Sequence, residues 1–342
     1  MKKIIVFFLF SVFLSAQKTE IIELKENIKD RKGLTKSLTL IDNRADKEIG
    51  KVSNKKGEVE IELPEGDLKS FIEAWFAQDN KVKGNNDIVL MLEDLKVYDE
   101  QAENDIIMYA KAKIKISSFL KRNDKYYFIN RFDNVIVCDP KRTASVSKYL
   151  SLTIEEILAE FIKTSYSGPV LSQYIVENDI ANYNADFSKN NKSLNQELKN
   201  GVYLNFKSFS DQKPAEGYYF EKNKKGKVVR IKNQEDLTIS LGETFGYVDG
   251  GIAYRLIPTG FQEMKKDEKG YYIITSRAQL FTEKSGNGAM IGAIAGGLVG
   301  AAIGAAIDSG SNIAAVKGFG FKSPTMTKVY IDSLTGAYIF TK

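Results

Sequence analysis

Histidine is absent from the 342 residues, and cysteine occurs once, as Cys138. Those two facts remove Ser-His-Asp and Cys-His catalysis, histidine-ligated metals and any intramolecular disulfide. Few other residues have chemistry to offer. Asp42 and Arg44 could form a polar site at a strand end, or a turn closed by their own ion pair. Cys138 sits beside Val135 and Val137 on an apolar strand, where a thiol is a small buried hydrophobe or, less simply, a reactive group. Lys222, Lys224, Lys225 and Lys227 make a basic loop that suits anionic lipid headgroups or plain solvent. Asp249 before Gly250-Gly251 offers a carboxylate to a cation or a sugar, but a β-turn accounts for it. No paired-carboxylate, Ser-Lys or P-loop pattern occurs. The expectation is a protein that is not an enzyme and has no cofactor and no metal. A carboxylate-dependent hydrolase is the weakest alternative.

The most informative spacing is physical rather than chemical. Residues 288–307 read GAMIGAIAGGLVGAAIGAAI, without a charge and of transmembrane length. Gly288, Gly292, Gly296, Gly300 and Gly304 recur every fourth residue, so on a helix they line one groove without side chains. Another backbone can approach closely there, gaining dispersion and Cα–H···O contacts that lipid does not replace. Six glycines and seven alanines leave only seven larger apolar residues, so a lone helix is marginal in lipid and needs a packing partner. The readings are a membrane helix, a helical hairpin bent at Gly296-Gly297, a helix buried in an assembly, or a loop. Membrane association through 288–307 is favoured, with self-association or an envelope protein as partner. These five glycines are the expected helix-packing and membrane site.

The elements around these residues follow from periodicity. Residues 1–16 read as a signal peptide: Lys2 and Lys3, an apolar core from Ile4 to Leu14, then Ser15-Ala16. Strand signals lie at 36–44 and 58–63. Leu68, Phe71, Ile72, Trp75 and Phe76 then form one helical stripe. Three long strands follow at 87–98, 106–120 and 126–138. In the middle one, Ala110, Ala112, Ile114 and Ile116 alternate with Lys111, Lys113 and Lys115, giving one buried face and one wet face. A second helix over 147–164 carries Leu150, Ile154, Ile157, Leu158, Phe161 and Ile162 on one side. The fold class expected is α+β: an N-terminal antiparallel sheet with two helices on one face, then a mainly-β module with an inserted Gly/Ala-rich helix or helical hairpin. The corresponding domains are 17–185, a polar asparagine-rich linker at 186–200, and 201–342 with the glycine-zipper insertion at 286–310.

The segment LTLIDNRADKEIGKV (38–52), with Asp42, Arg44, Ile49 and Gly50 and the helix, three strands and helix that follow, resembles the ABC-transport auxiliary lipoprotein family of bacterial envelopes. The chain departs from that family in having no lipobox cysteine, so lipid tethering is not implied. The C-terminal region, with GVYLNFKSF, FGYVDGGIAYRL and KVYIDSLTGAYIF, resembles a β module of exported bacterial proteins that carries a glycine-zipper segment. Neither resemblance brings a catalytic residue. The net charge of +5 falls to +3 if Lys2 and Lys3 leave with a signal, too little for a nucleic-acid binder. The functional expectation is an exported, periplasmic and membrane-associated protein of the cell envelope, non-enzymatic. The alternative is a periplasmic binding or transport-auxiliary module for a lipid or protein partner.

Overall fold

The computed structural model describes residues 18–81, 84–101, 107–141, 143–239, 244–280 and 323–341. They form a mixed α+β protein dominated by sheet. Residues 1–16 and the five zipper glycines lie outside the described residues.

The first sheet has eight strands: β1 (Lys18–Ile21), β2 (Thr35–Asp42), β3 (Gly50–Asn54), β4 (Gly57–Glu62), β5 (Asn86–Gln101), β6 (Met108–Arg122), β7 (Lys125–Cys138) and β8 (Tyr174–Val176). Their order is β1-β4-β3-β5-β6-β7-β8, with β2 also paired to β5. The sheet is mixed, which corrects the antiparallel expectation: β1 lies parallel to β4, and both β2 and β3 lie parallel to β5. The reason is connectivity. Helix α1 (Leu68–Asp79) lies between β4 and β5 in the chain and packs on β2. The return from β2 to β5 is thus a crossover, and crossovers join parallel strands.

α1 is started by Asp67, whose carboxylate accepts the amides of Lys69 and Ser70. Ile72, Trp75 and Phe76 are buried, whereas Phe71, at the rim of the stripe, is exposed. The Trp75 indole donates to the Glu26 carbonyl at 2.8 Å. In α2 (Val146–Ser165) all six residues of the expected stripe are buried. Both helices join Leu40, Leu90, Ile114 and Ile136 in one apolar cluster. A second cluster takes the alternate residues, Val89, Met91, Phe119 and Phe128, together with Tyr183 and Phe187 of α3 (Tyr183–Lys189). A 3-10 helix (Glu177–Asn182) runs into α3, and α4 (Lys192–Asn195) follows. The asparagine-rich stretch is therefore partly helical, with Asn191 and Ser193 buried.

The second sheet is antiparallel. Its strands are β9 (Gly201–Tyr203), β12 (Gly246–Asp249), β13 (Ile252–Ile257), β14 (Gly260–Asp267), β15 (Gly270–Thr275), β16 (Thr327–Ile331) and β17 (Tyr338–Phe340), in the order β17-β16-β15-β14-β13-β12-β9. The ribbon β10 (Tyr219–Lys222) and β11 (Val228–Lys232) stands apart. Short helices α5 (Phe206–Ser210) and α6 (Arg277–Leu280) complete the fold. Tyr203, Phe209, Ile273 and Tyr338 belong to the same cluster as α1 and α2, so the two sheets share one core.

Candidate functional site

Most of the residues singled out in the sequence are structural in their surroundings. Arg44 reaches both carboxylate oxygens of Asp42 at 2.9 Å and also the Lys47 carbonyl, closing the turn after β2. Burial raises the Asp42 carboxyl, but the bonds from Arg44 and Lys47 outweigh it and bring it down to about 2. Cys138 is buried, and burial pushes its thiol up to about 12, far from a nucleophile. Asp249 starts the β12–β13 turn, in which Gly250 and Gly251 adopt φ of 59° and 78°, and it pairs with Lys222 at 2.5 Å. Asp42, Cys138 and Asp249 are not brought together.

What the structure does assemble is the lysine-bearing face of β5, β6 and β7, which corrects the expected wet face: Lys111 is buried, and Phe119, on the same side of β6, packs with Tyr183 and Phe187. The three lysines of β6 each meet a carboxylate of a neighbouring strand: Lys111 with Glu100 at 3.0 Å, Lys113 with Asp133, and Lys115 with Glu93 at 2.8 Å. Glu93 is an extra residue in β5, since the pairing slips between Leu92 and Asp94. It also accepts the hydroxyls of Tyr183 (2.8 Å) and Ser117 (2.9 Å). Arg131 of β7 lies next to this group, fully buried. It donates to Asp332 at 2.6 Å, to Asn184 at 2.8 Å and to the Tyr183 hydroxyl at 3.3 Å. Asp332 in turn accepts the amides of Leu334 and Thr335, capping the turn between β16 and β17. Burial raises its carboxyl, but the Arg131 charge beside it holds it below the usual range.

Toward the other end of this face lies an open cavity of about 440 Å³. Asp94, Lys96 and Tyr98 of β5, Lys113 of β6, Val135 of β7 and Thr341 line it. Lys96 is held by Asp46 and the Glu48 carbonyl, and Lys113 by Asp133. Asp94 accepts no hydrogen bond and makes no ion pair among the described residues. Burial pushes its carboxyl above the ordinary range, against the pull of Lys113. The alternation of β6 announced a wet lysine face, but Arg131 and Asp94 carried no signal, because their significance comes from strands far apart in sequence.

Beside the cavity, Arg277 of α6 donates to the Val135 carbonyl at 2.6 Å and stacks over Phe340 at 4.1 Å. Burial lowers its guanidinium to about 9, an unusual value for arginine. α6 is also where the chain leaves for the zipper-bearing insertion. Thr275 pairs with Thr327, and the Ala278 amide donates to the Ser323 carbonyl at 3.1 Å. No group of three metal-ligating residues occurs among the described residues, and no helix among them is long and apolar enough to cross a membrane. No family model, curated protein or solved structure matches this chain.

Proposed function

We propose that this is an exported, non-enzymatic protein of the cell envelope whose folded body holds out the Gly/Ala segment 288–307 as a membrane or self-assembly element. The carrying observation is the pairing of Thr275 with Thr327, reinforced by the Ala278–Ser323 bond: both ends of the insertion meet the body at one point. A single span would put the two ends of 288–307 about 30 Å apart. The run 308–322, with Asp308, Ser311, Asn312 and Lys317, would then have to return through hydrocarbon, where unsatisfied polar groups are costly. A re-entrant hairpin bent at Gly296-Gly297, or a helix packed against another copy, avoids that. The two helices of the first sheet, which share one apolar cluster, belong to the same reading as a lid over one face of a rigid support. The buried Asp332 and the partly buried Glu93 favour a non-enzymatic role, since each is committed to several donors.

The test is flotation with vesicles plus crosslinking, comparing the native chain with Gly296→Leu and Gly300→Leu. Leucine makes the segment more apolar but fills the groove. Retained flotation with weakened crosslinking is expected. Native protein that never floats and never crosslinks would end the proposal.

The second reading, a binding or transport-auxiliary module, is favoured by one observation. The lysine-bearing face of the first sheet carries a cavity of small-molecule size, about 440 Å³, lined by Asp94, which has no hydrogen bond or ion pair among the described residues.

A further inference from the structure

We propose that the cavity between β5, β6, β7 and Thr341 is a site for a small organic monocation, a primary ammonium or guanidinium carried on a short apolar body. The inference rests on the second reading above, that this cavity binds a ligand, and adds the ligand's charge and kind. Charge decides it. Among the described residues, the two lysines lining the cavity already have anions, Lys96 with Asp46 and Lys113 with Asp133, while Arg277 beside it is turned to the Val135 carbonyl and the Phe340 ring. With those pairs closed, Asp94 is the charge left over. Among the described lining residues, the group left without an ion-pair partner is therefore an acid, and a half-buried one.

A buried charge without a partner is unfavourable to the fold, and a raised carboxyl is the direction such a deficit produces. A cation entering the cavity would supply the missing charge-assisted bond at Asp94. Tyr98, half-buried on the same strand, has its hydroxyl raised by burial first and then by Glu100 and Asp94, against the pull of Arg277, and its ring offers a cation a face. Val97 and Val135 give the cavity an apolar part, which suits a short hydrocarbon body rather than a bare ion. An anion would have to share a lysine with Asp46 or Asp133 and would face Asp94 as well.

The experiment is calorimetric titration of the full chain with three isosteric probes: benzylamine hydrochloride, benzyl alcohol and sodium benzoate. Saturable binding of benzylamine is expected, with benzyl alcohol and benzoate at least tenfold weaker. Asp94→Asn should reduce benzylamine binding tenfold or more while leaving the thermal midpoint equal or higher, since it removes an uncompensated charge. Tyr98→Leu is the second variant, with weaker binding of benzylamine but no gain in benzoate binding. Benzoate or benzyl alcohol binding as well as benzylamine, or Asp94→Asn leaving the affinity unchanged, would overturn the charge assignment and leave the cavity as a binding site. Failure of all three probes to bind would remove the binding reading together with the inference.

Discussion

Arg131 shows how much one buried charge can organise. Its guanidinium touches Asp332 of the second sheet, Asn184 and Tyr183 of α3, and through Tyr183 it reaches Glu93. Replacing one member of a buried pair leaves the other charged and desolvated, which costs about 3–5 kcal/mol. Arg131→Met is therefore expected to destabilise the chain by that amount in urea unfolding. Adding Asp332→Asn should return part of it, because asparagine can still cap Leu334 and Thr335 while carrying no orphan charge. The same pair sets an acid limit. Asp332 is held below the ordinary carboxyl range in the folded protein, so its contribution is whole above the unfolded value of about 4 and is lost as pH falls through the lower folded value. Asp42, brought down to about 2, loses its contribution over the same acid side. Unfolding free energy should thus be flat near neutrality and fall below about pH 4. Asp332→Asn should show a shallower fall than the native chain, and an identical pH profile would remove Asp332 from the account.

At the scale of elements, period-2 and period-3.6 patterns were readable wherever one face is buried. In β6, Ala110, Ala112, Ile114 and Ile116 are inside as the alternation says, although Lys111 on the opposite face is buried too, and the α2 stripe is buried throughout. What could not be read were pairings and slips. The extra residues Glu93 in β5 and Ile129 in β7 shift the faces of both strands, and nothing local marks them. The run GVYLNFKSF reads as one strand but breaks after Tyr203, because Asn205 and Ser208 form a reciprocal cap that starts α5. β14 carries little strand signal, because GFQEMKKD is half-exposed and buries only Met264. Gly50 is where β3 meets β5: its φ is +111°, and a Cβ would stand 2.4 Å from the Val97 carbonyl oxygen. Gly57 has a similar φ of +113° but open space around it. Gly50→Ala should cost about 1–3 kcal/mol, more than Gly57→Ala, which bears the backbone strain alone. Thermal melts giving equal losses would mean that the contact with Val97 adds nothing.

The whole molecule is held together across its two sheets, and that decides which parts can be removed. The edge of β7 meets β17 through Asn134, whose side-chain amide donates to the Tyr338 carbonyl at 3.0 Å and accepts the Phe340 amide at 2.9 Å. Arg131–Asp332 and Arg277–Val135 add two more links along the same strand. A fragment of residues 17–185 therefore keeps its helices and sheet but leaves Arg131 and Asn134 without these partners. It should melt below the full chain and expose apolar surface to a dye such as ANS. Residues 283–320 present the opposite case. Their removal touches none of these links, because the β15–β16 ladder and the Ala278–Ser323 bond close the body on its own side of the insertion. Joining the cut ends with a short Gly-Ser linker shortens the loop roughly fourfold, and the lower closure entropy is worth about 1 kcal/mol in the body's favour. The shortened chain should keep the native circular dichroism and melt at the same temperature or slightly above it, while losing flotation and crosslinking together. If it instead unfolds, the insertion is part of the core rather than an arm displayed by it. If it folds and still floats, membrane attachment belongs to the body, and the zipper serves assembly alone.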